Sequence, residues 1–403
     1  MHFINTDTII TFITGGVAGF FLQKILEKGN KRVADIIENK KLKMNLTKVE
    51  RILDEDLNIV TLGQGFPSYD LGEGLNIEVC GKSLYIDFPQ NKKHLITEKY
   101  RTFHKDRSFD GTSSFEDLVH ETKIINLIEL IEKHRQIVAD DFINRRNGCH
   151  FNGEKFGVYY FDGFRRYGEV EKSDLHISLF TTDYFTHKVF KSIYKELIGI
   201  NHHISQIKDY NGVMQYRSFA TSFGVNAIVK VQSRFSKDSI IFTKRSPYAT
   251  GTNGKTWLSI SMIEGLSQVD VDTFSNTISL KLCLQRGLEE ELGILATNNY
   301  YDDNDIKFYD LFLERNNFEL GITALVNIKD EYTFEESIQN RYAKDKVLEV
   351  AEMIPIALNK KEIEKFVKDN IQEFYPQALY TLNSICMRKN LMLDIKYNKQ
   401  KHD

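Results

Sequence analysis

Apolar positions follow three different patterns along this chain. From Thr8 to Leu26 (TIITFITGGVAGFFLQKIL) they run almost unbroken, with no charge before Lys24. As a helix, that stretch is about 28 Å long, enough for one pass through a bilayer. Between 57 and 210, short runs at Leu75 to Val79, Ser83 to Phe88, Lys155 to Phe161 and Asp174 to Phe180 predict strands. A stripe of Leu118, Ile124, Ile125, Ile128, Ile131 and Val138 predicts one long helix over Phe115 to Phe142. Thr182 or Asp183 supplies the cap for a further helix over Tyr184 to Leu197. Past 215, alternation predicts strands at Phe223 to Gln232, Asp238 to Ser246, Trp257 to Glu264, Lys307 to Glu314 and Glu319 to Ile328. Helices are predicted at Thr333 to Lys344 and Lys361 to Asn370. The chain thus divides into a membrane helix at 8–26, a charged helical connector at 27–56, an α/β region at 57–210 and an α+β domain at 215–395.

Charge places the expected membrane segment. Lys24, Lys28, Lys31, Arg32, Lys40, Lys41 and Lys43 follow it, and basic residues stay on the cytoplasmic side, so a single pass leaves the body of the chain in the cytoplasm. The alternative is a buried N-terminal helix, because the run is near the lower length limit for spanning. Gly15 and Gly19 form a G-x-x-x-G face on which two copies can approach, which would give a homo-oligomer. Net charge is −3, with no basic stripe, which argues against nucleic acid as a partner. Cys80, Cys149, Cys283 and Cys386 are far apart, with neither a disulfide framework nor a zinc pattern.

The chemistry is concentrated at Arg286 to Ile294 (RGLEEELGI). On a helix, Arg286 and Glu290 are i,i+4 neighbours, so the guanidinium can aim the carboxylate. Adjacent Glu290 and Glu291 offer hard oxygen ligands of the kind Mg2+ or Mn2+ prefers, and Gly293 supplies the helix stop. This run resembles the second half of the Nudix box, and the strand order around it is similar to the Nudix α/β/α sandwich with a mixed sheet. The chain departs from the pattern at Gly287, where the family has Glu, and at Ile278 and Asp272, where it has Glu and Gly.

The resemblance implies a hydrolase acting on a nucleoside-diphosphate-linked substrate, with Mg2+ held by Glu290 and Glu291 and Arg286 orienting them, and the 8–26 segment would make it membrane-anchored. Glu264, with Glu289 behind it, is the candidate to replace the missing carboxylate, and Arg245 and Lys255 are the candidate ligand-binding cations. Restoring Glu at position 287 is then expected to raise hydrolysis and to stabilise the helix slightly. The alternative is a catalytically impaired nucleotide sensor that drives assembly of its membrane helix, a layout that resembles bacterial antiphage effectors with a membrane segment. Ala249 to Thr256 fits a loose phosphate-loop pattern, but the residues after it alternate like a strand rather than opening a helix.

Overall fold

The computed structural model describes residues 57–71, 74–96, 103–144, 151–166, 172–234, 236–246, 257–272, 277–343 and 350–395. The expected membrane segment at 8–26 with Gly15 and Gly19, the connector at 27–56 and Lys255 lie outside them. Among the described residues, no helix is long and apolar enough to cross a membrane.

An eight-stranded mixed sheet organises the fold. Six strands lie in the order β1 (Ile59–Tyr69), β11 (Ile306–Glu314), β12 (Glu319–Asn327), β5 (Phe223–Ser233), β6 (Ser236–Arg245) and β13 (Val350–Ala357). β7 (Leu258–Ile260) pairs with β6, and β8 (Met262–Gly265) with β5. The β12–β5 pair is parallel, with Leu320 opposite Phe223 and Asn327 opposite Lys230, and the other pairs are antiparallel. A smaller sheet carries β2 (Leu75–Ser83) parallel to β4 (Lys172–Asp183), with β3 (Glu154–Arg166) antiparallel on the other side of β4. β9 (Val271–Asp272) and β10 (Thr277–Ile278) form a short separate ladder.

Several sequence expectations are corrected. The long helix over Phe115 to Phe142 is two helices, α1 (Glu116–Thr122) and α2 (Leu127–Ile143). Lys123 adopts a left-handed conformation between them, and the Thr122 hydroxyl bonds the Leu118 carbonyl, closing the first helix. Ile125, assigned to the apolar stripe, sits in that break and is 92% exposed. The single strand over Trp257 to Glu264 is two strands, β7 and β8. At the junction, the Ser261 hydroxyl accepts from Val229 N (2.7 Å) and donates to Ile241 O (2.6 Å), so the chain changes partner from β6 to β5 there. The helix over Thr333 to Lys344 is only a π-helical turn, Glu335–Gln339, where the Ser337 hydroxyl donates to Thr333 O (2.5 Å). β1, from the 57–210 stretch, is hydrogen-bonded to β11 of the later residues.

The other helices are α3 (Tyr184–Gly199), the short α4 (Tyr210–Gln215), α5 (Leu280–Leu292), α6 (Lys360–Asn370) and α7 (Pro376–Arg388). Asp183 caps α3 by accepting from Thr186 N, as the sequence predicts. Two of these helices sandwich the large sheet. Gly287 of α5 lies against Met262 and Glu264, which pair with Ala227 and Val225, whereas Ser384 of α7 bonds Thr323, which pairs with Asn226. Successive strand residues point to opposite faces, so α5 and α7 cover opposite sides.

The β11–β12 turn places a buried carboxylate, Glu314, opposite a half-buried one, Glu319. Glu314 accepts from Asn316 N (2.7 Å), Asn317 N (3.0 Å) and Asn317 Nδ2 (2.9 Å), yet burial and the Glu319 charge push its carboxyl up to about 7 against Lys191 and Lys195. Burial would raise Glu319 as well, but Lys191 and His187 override it and hold it at about 2. A carboxyl raised in the folded state adds stability below its unfolded value that is lost as pH rises through the folded one. Glu314→Gln is therefore expected to be more favourable at pH 8 than at pH 5, by on the order of 2 kcal/mol. Urea unfolding at both pH values checks this, and an equal effect at both would refute the raised pKa.

Candidate functional site

α5 begins at Ser279, whose hydroxyl accepts from Leu282 N (3.3 Å), and ends at Gly293 with φ +71. Leu280, Cys283, Leu284, Gly287, Leu288, Glu291 and Leu292 form its buried stripe. Helical spacing thus turns Glu291 inward with the apolar residues, leaving it 4% exposed, while Arg286 and Glu290 lie on the flank.

Arg286 is fixed on several sides. Nε donates to Asp270 Oδ1 (2.9 Å), Nη1 to Glu264 Oε1 (2.7 Å), and Nη2 to Asp270 Oδ2 (2.9 Å) and the Gly265 carbonyl (2.8 Å). Glu290 Oε2 stands at 3.6 Å from Nη1. Asp270 in turn accepts from Ser267 N (2.8 Å), and its carbonyl accepts from Ser279 N (3.0 Å), so the arginine ties the loop before the helix to the helix itself. Burial would lower the Arg286 pKa, but Asp270 and Glu264 raise it. Glu264 is pushed up by burial and pulled down by Arg286 and Lys155.

All the predicted site residues except Lys255 are described, and they serve different partners. Arg286, Glu264 and Glu290 meet in one ion-pair cluster, whereas Glu291 Oε2 faces Arg245 Nη1 at 3.6 Å. Glu289 is exposed. Among the described residues, no group of three or more His, Cys, Asp or Glu side chains is placed to hold a metal ion. Glu290 and Glu291 thus face different arginines, and Gly287 offers no third carboxylate beside them.

Nor is there space for that third ligand. A Cβ on Gly287 would stand 2.7 Å from Met262 Cε, 2.9 Å from Met262 Sδ and 2.8 Å from Glu264 Cβ. The glycine lets α5 approach β8 closely, so the expectation that Glu at 287 would stabilise the helix is corrected. The helix-propensity gain of about 1 kcal/mol is outweighed by overpacking and by placing a carboxylate beside Glu264. Gly287→Glu is expected to lose roughly 2–4 kcal/mol without gaining hydrolysis. A rise in Tm together with new turnover would show that the position has room.

Sequence reasoning missed Asp270, which sits in a polar loop with no periodicity to mark it. It also missed a cluster on α3 and β3 that borders Glu264, although His187 and Lys191 stand at i,i+4 on a capped helix.

No family model matches the chain, and no curated protein matches it. Among solved structures, a MutT/nudix family protein from Enterococcus faecalis overlaps 40% of this chain and 67% of its own length, at 14% identity and a TM-score of 0.23. At that level the likeness carries no argument about fold or activity.

Proposed function

We propose that the body of this chain is a Nudix-like module that binds a phosphorylated, nucleotide-type ligand without cleaving it. One observation carries the reading: Arg286 and Glu291 of the box-like helix are engaged by oppositely charged partners on neighbouring elements. Arg286 holds Glu264 and Asp270, Arg245 faces Glu291, and Gly287 packs where a further carboxylate would stand. Such an arrangement fixes a loop and a helix, and it supports binding better than metal-assisted hydrolysis. The strand–helix–strand setting of Arg286 to Ile294 supports the Nudix-like part of the reading.

The rival is a hydrolase with Mg2+ at Glu290 and Glu291, and one experiment separates the two. The chain is screened against mononucleotides, dinucleotides, nucleotide sugars and cyclic oligonucleotides, with and without Mg2+, for thermal shift and for cleavage. The expected result is a ligand that raises Tm without Mg2+ and is recovered intact. Mg2+-dependent cleavage abolished by Glu290→Gln/Glu291→Gln would establish the hydrolase instead, and the absence of any stabilising ligand would overturn the binding reading. The wider proposal, that occupancy drives assembly of a membrane segment through Gly15 and Gly19, requires the chain to resist carbonate extraction from membranes and Gly15→Ile/Gly19→Ile to abolish ligand-dependent oligomers.

A further inference from the structure

Beside the Arg286 cluster lies a cavity of about 250 Å3 walled by α3 and β3 on one side and by β5, β8, β11 and β12 on the other. It is rich in cations: Lys155, Lys188 and Lys191 line it together with His187, against two carboxylates, Glu264 and Glu319. Both carboxylates are matched locally, Glu319 by Lys191 at 2.7 Å and Glu264 by Arg286 at 2.7 Å. His187 is 7% exposed, its Nδ1 is 3.0 Å from the Thr221 hydroxyl, and burial drives its pKa well down. Burial also lowers the Lys155 pKa while Glu264 and Glu319 raise it, and an entering anion would favour the charged amine further.

Two features of the lining point to a ligand rather than to a structural ion-pair network. Asn226 is 4% exposed, faces the cavity, and its Oδ1 has no hydrogen-bond partner among the described residues. A buried amide oxygen without a donor is left desolvated and unmatched, and a ligand hydroxyl or amine would satisfy it. The floor is glycine. A Cβ on Gly321 would stand 2.6 Å from Asn226 Nδ2, and one on Gly265 2.9 Å from Lys155 Nζ, so the backbone is kept low under both polar groups.

We infer that this cavity binds the sugar-phosphate part of the ligand, with Lys155, Lys188 and Lys191 meeting phosphoryl oxygens and Asn226 accepting from a neighbouring hydroxyl. The volume suits one sugar phosphate and not a whole dinucleotide, whose remainder would lie outside. The inference rests on the proposed binding function and assigns that function its site. It also makes the ligand a bridge, because α3 and β3 precede residue 210 and the floor follows it.

Calorimetric titration of the 403-residue chain with ribose 5-phosphate and with inorganic pyrophosphate tests this. Ribose 5-phosphate is expected to bind the wild type, and Lys155→Gln and Lys188→Gln are each expected to weaken it tenfold or more. Lys361→Gln, the same charge change on remote α6, should leave affinity unchanged. Asn226→Leu removes an unmatched polar group, so its Tm should hold or rise while ribose 5-phosphate weakens at least fivefold and pyrophosphate changes little. A drop in Tm with unchanged affinity would make Asn226 structural and overturn its role. If a nucleotide from the screen binds and Lys155→Gln and Lys188→Gln leave its affinity intact, the site is wrong and the module reading survives. If no phosphorylated compound binds, both fall.

Discussion

Arg286→Met should lower the free energy of unfolding by about 3–5 kcal/mol, the usual cost of removing one partner from a buried ion pair. The arginine bonds Asp270 twice at 2.9 Å and Glu264 at 2.7 Å, and Asp270 is only 2% exposed. Without it, two carboxylates remain in a desolvated pocket with little beyond Lys155 to oppose their charge. Domains of this kind are stable by about 5–15 kcal/mol in total, so the change removes a substantial part of the margin. Arg286→Lys should recover little, because a point charge on a flexible stem cannot make the forked contact with Asp270. Arg286→Met/Asp270→Asn should cost less than the sum of the single changes. Urea unfolding of these variants, Asp270→Asn and the wild type measures this, and a loss under about 1 kcal/mol for Arg286→Met would mean that the cluster is solvated and available for other chemistry.

The second large effect is expected at Arg388, at the far end of α7. Its guanidinium meets Asp310 (2.5 Å) with side chains only 4% and 3% exposed, donates to the Gly65 carbonyl (3.1 Å), and lies 4.5 Å over the Tyr309 ring. The Ser384 hydroxyl donates to the same carboxylate. Arg388→Met should cost another 3–5 kcal/mol or so, and the damage should be local first. Gly65 sits in β1 where the ladder with β11 loses register between Gln64 and Tyr69, so Arg388 substitutes for missing ladder bonds. Amide exchange in Ile59 to Tyr69 should accelerate more than in β5 or β12. Asp310→Leu/Arg388→Met should restore part of the loss, since a matched apolar pair leaves no buried charge. Uniform acceleration across the whole sheet would show that β1 has no special dependence on Arg388.

The parts of this fold legible in the sequence are those with a clean period. Phe223 to Gln232 and Glu319 to Ile328 alternate along their length, and they form the parallel pair at the centre of the sheet. The Asp183 cap and the Gly293 stop are legible because each has one local geometric job. Other features depend on distant partners. β1 reads as an irregular polar-apolar mixture because its register with β11 slips twice, and the split at Ser261 follows from a hydroxyl bridging two strands. At the site, residue types and spacing correctly bring Arg286 and Glu290 together, but nothing in the polar loop marks Asp270 as the residue that takes most of the guanidinium. Nor does helical spacing alone reveal that Glu291 turns in towards Arg245.

The two ends of the large sheet bear on how the protein behaves when concentrated. A sheet edge is a template for recruiting another strand, and long flat edges lead to fibres. At one end, β13 exposes Ala351 and Glu352 and carries Pro355, which has no N–H to offer an incoming chain. At the other, β1 breaks register twice, contains Pro67, and its Phe66 N–H donates to the Ser173 hydroxyl of β4 (2.9 Å). Neither edge presents a regular row of open donors and acceptors, so strand addition is blocked at both ends. Ordered assembly of this body is therefore expected to run through side-chain surfaces or segments outside this sheet.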